Sequence, residues 1–320
     1  MSAALAAAEA GISNILIAER SEQLGGVLRQ CIHSGFGLHQ CGEELTGTEY
    51  GARFQAAVAA QEIPVWTHAV VTHLSATRDA VIISPQNGLC HLHAEAVILA
   101  IGRRERTRGA LLIPGSRPAG IMTAGTAQRY LNRMGYLPGK RVVILGSGDI
   151  GLILARQLAM EAVQVMEVVE IQPFPSGLPR NIVQCLDDFH IPLRLNSTIT
   201  CIRGQPRVEE VTVSKVDENR QPIAHTARQI TCDTLILSAG LVPDYELVKQ
   251  ADIAIAPDTG AVIVDQQFMS SQPGIFVCGN FLHIHDLVDH VSEEAATVGK
   301  YAAAYIARAK SHGCDTERPL

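Results

Sequence analysis

The stretch RVVILGSGDIGLILARQLAMEAVQVMEVVE, Arg141 to Glu170, holds the residues whose spacing points most directly to chemistry. Gly146, Gly148 and Gly151 make a G-x-G-x-x-G turn with Asp149 and Ile150 inside it. The first glycine permits a tight turn, the second lets backbone N–H groups approach a pyrophosphate, and the third lets a helix lie close to a strand. A helix starting there adds unpaired donors and partial positive charge for phosphates. Glu170 lies nineteen residues beyond Gly151, where a carboxylate at a strand end can accept both hydroxyls of an adenosine ribose. The residues after it, Ile171, Gln172 and Pro173, include no Arg or Lys to meet a 2′-phosphate, so NAD(H) is favoured over NADP(H). An ordinary glycine turn in a parallel sheet would leave the distance to the acid without a reason.

Other candidates are spread along the chain. Gly25 and Gly26 follow Glu19 closely, and such a pair either lets backbone lie against a cofactor or simply turns at the surface. Within CIHSGFGLHQC, residues 31–41, Cys31 is a candidate redox thiol or a buried free cysteine, its nearest cysteine in sequence being Cys41. His33 is a candidate proton donor to substrate or a hydrogen-bonded structural histidine. Arg103, Arg104, Arg106 and Arg108, with Glu105 among them, read as a solvated domain junction in preference to an anion site. His283 and His285 have the H-x-H spacing of some metal ligands. No third or fourth ligand is evident, so no metal is expected, and the pair reads as a loop near a cofactor or as a helix cap.

These residues need elements to hold them. Val142 to Leu145 reads as a short buried strand, the helix after the glycine turn carries Ile150, Leu154 and Leu158 on one face, and Val165 to Val169 reads as a second strand. Residues 1–10 read as a helix closed by Gly11, followed by a strand over Ile15–Ala18 that ends on Glu19. This repeats the second half of the central unit without a strand and glycine turn ahead of it, which leaves open a truncated start, a misassigned gene start or a variant without the loop. A helix is expected over Thr48–Ala60, a strand over Val65–Leu74, a hairpin from Val81–Ser84 and Cys90–His93, and a buried strand in AVILAIG, Ala96–Gly102. PFPSGLPR, after Glu170, reads as a loop, and Pro192–Thr200, Val208–Val216 and Ala224–Cys232 as strands. TLILSAG, Thr234–Gly240, echoes AVILAIG and implies an internal repeat of two nucleotide-binding domains. A strand over Ile275–Val277 ends at Cys278, Gly279 and Asn280, and an amphipathic helix runs from near Asp286 to about Ala307.

Composition narrows the function classes. The 320 residues have room for about two domains, and 47% hydrophobic content suits a substantial core. A net charge of −6 without blocks, and no interleaving of aromatic and basic residues, argue against a nucleic-acid partner. No apolar run reaches the roughly 20 residues of a membrane helix. MSAALAAAEAG has no basic leading region and carries Glu9, unlike a signal peptide, so a cytoplasmic location is expected. Eight cysteines without a C-x-x-C indicate neither zinc, nor an iron–sulfur cluster, nor a thioredoxin-type dithiol.

Glu19, Gly25-Gly26, AVILAIG, GSGDIG, TLILSAG and FVCGN together resemble, in type and order, the FAD-dependent pyridine nucleotide-disulfide oxidoreductase superfamily, over almost the whole chain. Within it, CIHSGFGL, EELTG, GRRERTRGA, GLPRN and GNFLHIHDLVD are most similar to the FAD/NAD(P)-dependent oxidoreductases that accompany anaerobic glycerol-3-phosphate dehydrogenase. More distant similarity runs to opine oxidase and hydrogen cyanide synthase subunits. The resemblance implies an α/β fold of two Rossmann-like nucleotide-binding domains in a thioredoxin-reductase-like arrangement. Residues 1–114 and 238–320 would form the FAD-binding domain, without its first strand and glycine loop, and residues 115–237 an inserted NAD-binding domain.

The resemblance further implies Glu19 at the FAD adenosine ribose, Gly25 and Gly26 facing the cofactor, and Val70 meeting the adenine through its backbone. Ala100 and Gly102 would close AVILAIG against the flavin nucleotide, Gly240 ends TLILSAG in the same manner, and Gly279 with Asn280 would meet the ribityl and pyrophosphate. The 31–41 loop would lie beside the flavin, and the last helix would aim its positive end at the flavin C2 carbonyl. Three features depart from the family pattern. The FAD glycine loop is missing ahead of Met1, Ala100-Ile101-Gly102 replaces Ala-Thr-Gly, and Asn280 stands where most members have Asp. The expected function is hydride transfer between NAD(H) and FAD in an electron-transfer subunit that works with a partner dehydrogenase of the glycerol-3-phosphate type. A non-catalytic or defective NAD(H)-binding chain without its FAD site is the alternative, and a flavin-free NAD-dependent dehydrogenase would leave FVCGN without a role.

Overall fold

The structure, a computed structural model, describes residues 1–313; residues 314–320, Cys314 among them, lie outside the described residues. The chain forms two compact units, one of Met1–Arg103 with Pro243–Leu320 and one of Arg104–Val242.

The Arg104–Val242 unit is built on a five-stranded parallel sheet in the order Ile121–Thr123, Thr234–Leu237, Arg141–Leu145, Gln164–Val169, Leu193–Arg194. A parallel sheet covered on both faces needs continuous apolar strands, which is why Val142, Val143 and Ile144 are all fully buried. One face packs on the helix Asp149–Met160 through Leu152, Leu154, Ala155 and Leu158. The other is covered by a three-stranded antiparallel sheet, Ser197–Arg203, Glu210–Lys215 and Arg228–Thr231, whose Ile199, Ile202, Val211, Val213 and Ile230 enter the core with Val143 and Leu235.

The helix Ala124–Met134 has no counterpart among the elements expected from the sequence. It buries Ala124, Ala127 and Gln128, with Leu131 packed part-buried on the same core, and Gly135 ends it in the left-handed conformation at φ 69°. The loop expected over PFPSGLPR passes at Pro179 into a short helix, Pro179–Ile182, proline being suited to a first helical position because its N–H would be unpaired anyway. The strand expected over Ala224–Cys232 opens as a single 3₁₀ turn, Ala224–Thr226, and is extended only over Arg228–Thr231.

In the other unit, Ile17–Ala18 pairs in parallel with Val65–Trp66, and Val97–Leu99 with Ile275–Val277. Val70–Leu74, Asp79–Ser84 and Gly88–His93 form an antiparallel sheet. The single strand expected over Val65–Leu74 is therefore two, divided at His68, whose φ of 50° turns the backbone while Ala69 N–H donates to Glu19 O. Thr46 and Glu49 make a reciprocal capping box at the start of helix Gly47–Ala60, satisfying two donors there. The first helix, Ser2–Glu9, lies against the last, Val288–Gly313, at Gly299, where a Cβ would stand 2.2 Å from Ala3 O. Among the described residues no helix is long and apolar enough to cross a membrane.

Candidate functional site

The glycine turn has the geometry that the sequence requires of it. Gly146 takes φ 103°, and a Cβ there would lie 2.2 Å from Ser238 O, so no side chain fits between the turn and the neighbouring strand end. At Gly151 a Cβ would come within 2.9 Å of both Gly146 O and Ser238 Cβ, which is the close helix–strand approach expected of the third glycine. Gly148, the residue preceding helix Asp149–Met160, differs: a Cβ would find nothing within 4 Å. No side chain caps that helix start, which leaves its first-turn N–H groups without a side-chain acceptor, as anion binding needs. These residues fit a dinucleotide pyrophosphate. Ile150 is part-exposed beside them.

Asp149 and Glu170 are turned elsewhere. Asp149 Oδ1 accepts from Leu178 N–H at 2.8 Å and from Asn181 Nδ2 at 2.7 Å, tying the GLPRN segment to the helix start. Glu170 is only 4% exposed. Its Oε2 accepts from Ser147 N–H at 2.9 Å, from Ser147 Oγ at 2.6 Å and from Ser176 Oγ at 3.2 Å, while Oε1 accepts from Gln172 N–H at 2.9 Å. A carboxylate oxygen has about two acceptor sites; three donors crowd Oε2, and Oε1 takes one. The carboxylate expected to be open to both ribose hydroxyls is thus only partly so: Oε2 braces the glycine turn, while Oε1 keeps one acceptor site. Ser147, Ser176 and Gly177 give no signal in the sequence, since their partners lie on a loop and a strand end that only the fold brings together. At Gly177 a Cβ would lie 2.6 Å from Leu152 Cδ1 and 2.8 Å from Asp149 Oδ1.

Beside Glu170 opens a cavity of about 490 Å³, lined by Gln172, Asn196, Val216, Asp217, Glu218 and Arg220 among others. Arg220, at the tip of a turn far along the chain, places Nη2 3.4 Å from Gln172 Oε1. Gly240, at φ 94°, accepts through its carbonyl from Arg106 N–H at 3.0 Å.

In the other unit the strand ends Val97–Leu99 and Ile275–Val277 bring Ala100, Gly102, Gly279 and Asn280 to one edge. Gly26 and Gly102, at φ 52° and 67°, have nothing within 4 Å of where a Cβ would stand, so their backbone offers bare surface of the kind that lies against a flat or phosphate-bearing cofactor. Gly25, at φ 110°, initiates the turn Gly26–Gln30 and is held near Arg29 and Gln55. Val70 is 48% exposed. Glu19 Oε1 accepts from Ser21 N–H at 2.7 Å. Gly279 N–H donates to Glu294 Oε1 at 2.6 Å, and Asn280 Oδ1 accepts from His285 N–H at 3.2 Å.

The 31–41 loop is fastened to the last helix. Asp289, 1% exposed in that helix's first turn, accepts from Gly37 N–H at 3.2 Å and from Gln40 N–H at 2.9 Å, and Tyr50 OH donates to Ser292 Oγ at 2.7 Å. Cys31 is buried, its Sγ 3.4 Å from Val27 O, and burial pushes its thiol up to about 11. A redox thiol must ionise near neutrality, so of the two readings this burial favours the packed free cysteine. His33 lies 3.0 Å through Nδ1 from Ser34 O and is tilted against Phe36. Of the arginine cluster, Arg103 donates to Asn280 O and Leu282 O, and Arg108 to Ile113 O and Gly115 O. Both hold backbone carbonyls.

Several known proteins are similar to this chain. Hydrogen cyanide synthase subunit HcnB of Pseudomonas protegens is 27% identical over 267 residues, 78% of this chain and 56% of the relative. An opine oxidase subunit of Agrobacterium tumefaciens is 24% identical over 201 residues, 59% of this chain and 39% of the relative. The chain thus spans about half the length of the curated relatives it matches. The crystal structure of T. acidophilum thioredoxin reductase superposes with a TM-score of 0.74 at 21% identity, covering 97% of this chain and 94% of that one, and establishes the two-domain nucleotide-binding fold. Residues 1–302 match the pyridine nucleotide-disulphide oxidoreductase family, and the chain belongs to it.

Proposed function

We propose that the protein is a flavin-dependent oxidoreductase subunit that exchanges hydride between NAD(H) and FAD and passes electrons to or from a partner dehydrogenase. The observation that carries this reading is the uncapped helix start behind the Gly146 turn, with Gly148 open in front of it. Bound FAD and NAD(H) would supply the redox chemistry, hydride moving between nicotinamide C4 and flavin N5. The chain's part is placement. Backbone N–H groups at Gly148, Asp149 and Ile150 would hold the dinucleotide pyrophosphate, and Glu170 keeps that turn in shape through Ser147. Glu19, Gly25, Gly26, Val70, Ala100, Gly102, Gly279 and Asn280 would hold FAD in the other unit, with bare backbone at Gly26 and Gly102 as the fitting surface.

NAD(H) is preferred in this reading because Ile171, Gln172 and Pro173 bring no cation, and Arg220 shares its cavity with Asp217 and Glu218. Local charge there does not favour a 2′-phosphate. The partner is drawn from the sequence resemblance to oxidoreductases that accompany glycerol-3-phosphate dehydrogenase, and two relatives are themselves named as subunits. The test is the protein purified with its flavin or reconstituted with FAD. It is expected to be yellow, to be bleached by NADH without oxygen, and to respond poorly to NADPH. A protein that binds NADH but takes up no flavin would favour a non-catalytic NAD(H)-binding chain instead.

A further inference from the structure

Beside Gly279 the structure brings Glu294 onto the His283–His285 pair. His283 Nε2 lies 3.3 Å from Glu294 Oε2, and His285 Nε2 lies 3.1 Å from the same oxygen. The two imidazoles are 4.0 Å apart between ring centres, and all three ligand atoms lie within 4.8 Å of one another. We propose that His283, His285 and Glu294 form a binding site for one divalent transition-metal ion of the zinc type, which clamps the Leu282–Leu287 loop to the last helix.

Three observations carry this. Donor atoms at about 2.0–2.1 Å around a tetrahedral ion are separated by about 3.3 Å, and the two histidine–carboxylate distances match that edge. The site is also preorganised: Glu294 is 8% and His285 12% exposed in their side chains, and the second carboxylate oxygen is fixed by Gly279 N–H at 2.6 Å. Such an outer bond orients a ligating carboxylate. Finally, His283 stands at the solvent side, 54% exposed, so the ion can enter there and a water can complete its shell. Two imidazoles with one carboxylate suit zinc, cobalt or nickel far better than the oxygen-seeking magnesium or calcium. The sequence shows the H-x-H pair and hides the third ligand, because Glu294 is nine residues further on and reaches back only once the helix starts at Val288.

The experiment uses the full chain, with any bound flavin left in place, stripped of metal by a chelator and titrated with Co²⁺ alone. Expected are visible bands of a low-symmetry site that saturate at one equivalent, loss of those bands on adding Zn²⁺, and no effect of excess Mg²⁺. His283→Ala changes an exposed side chain and should fold normally, yet weaken binding at least about tenfold. Glu294→Gln should do the same, while His93→Ala, in the separate antiparallel sheet, should leave binding unchanged. Absence of a one-equivalent site in the unaltered chain would overturn the proposal, and so would equal affinity in a folded His283→Ala variant.

Discussion

At the scale of single residues, the informative groups are those whose environment differs from what their type suggests. Glu170, expected to face a ribose, gathers four donors, three of them on Oε2. Hydrogen bonds to a charged acceptor contribute about 1.5–3 kcal/mol each. In Glu170→Gln the amide nitrogen must face donors where the carboxylate faced acceptable partners. We therefore expect a lower melting temperature and weaker NADH binding, both read on the purified variant by thermal denaturation and fluorescence titration. A variant of unchanged stability would show that the turn does not depend on this carboxylate. Cys31 gives the opposite kind of expectation. Its thiol, pushed up to about 11 by burial, holds little thiolate at neutral pH, so Cys31→Ala should keep NADH-dependent flavin reduction within about twofold of the parent, the loss being packing alone. A collapse of the rate with the fold intact would return the residue to the chemistry.

At the scale of elements, the strand–turn–helix of residues 141–160 separates folding from binding. Gly151 is needed for packing, since a Cβ there meets Gly146 O and Ser238 at 2.9 Å. Gly148 is not, because its φ of −66° suits any residue and the space beyond it is open. Gly151→Val should cost about 1–3 kcal/mol by overpacking and lower the melting temperature. Gly148→Ala should leave the melting temperature unchanged while weakening NADH binding. If Gly148→Ala bound NADH as the parent does, the dinucleotide would not lie against that turn.

At the scale of the molecule, both units bury thiols in apolar surroundings. Cys31 and Cys232 are raised to about 11 and Cys278 to about 12, each from an ordinary value near 9.0 and chiefly by burial. A group whose folded pKa lies above its unfolded value contributes stability that is complete below the unfolded pKa and is lost as pH rises through the folded one. The fold should therefore weaken from about pH 9 and continue to weaken toward pH 12. Melting temperature measured across that range checks this, and a flat profile would mean the thiols ionise without penalty.

The sequence by itself determined the parallel-sheet core and the glycine turn, because strand-length apolar runs and a G-x-G-x-x-G followed by apolar residues at helical spacing are local patterns. It also determined the order of motifs that resembles the family, and residues such as Gly25, Gly26, Gly102 and Gly279, whose left-handed backbone is a local requirement. Only the tertiary structure decided where side chains end. That Glu170 turns to Ser147, that Asp289 holds Gly37 and Gln40 across 252 and 249 residues, and that Glu294 meets two histidines are outcomes of packing between distant segments. The physical reason is one of range: backbone conformation is set by neighbours a few bonds away, whereas a buried polar group takes whichever partners the folded chain brings within about 3 Å.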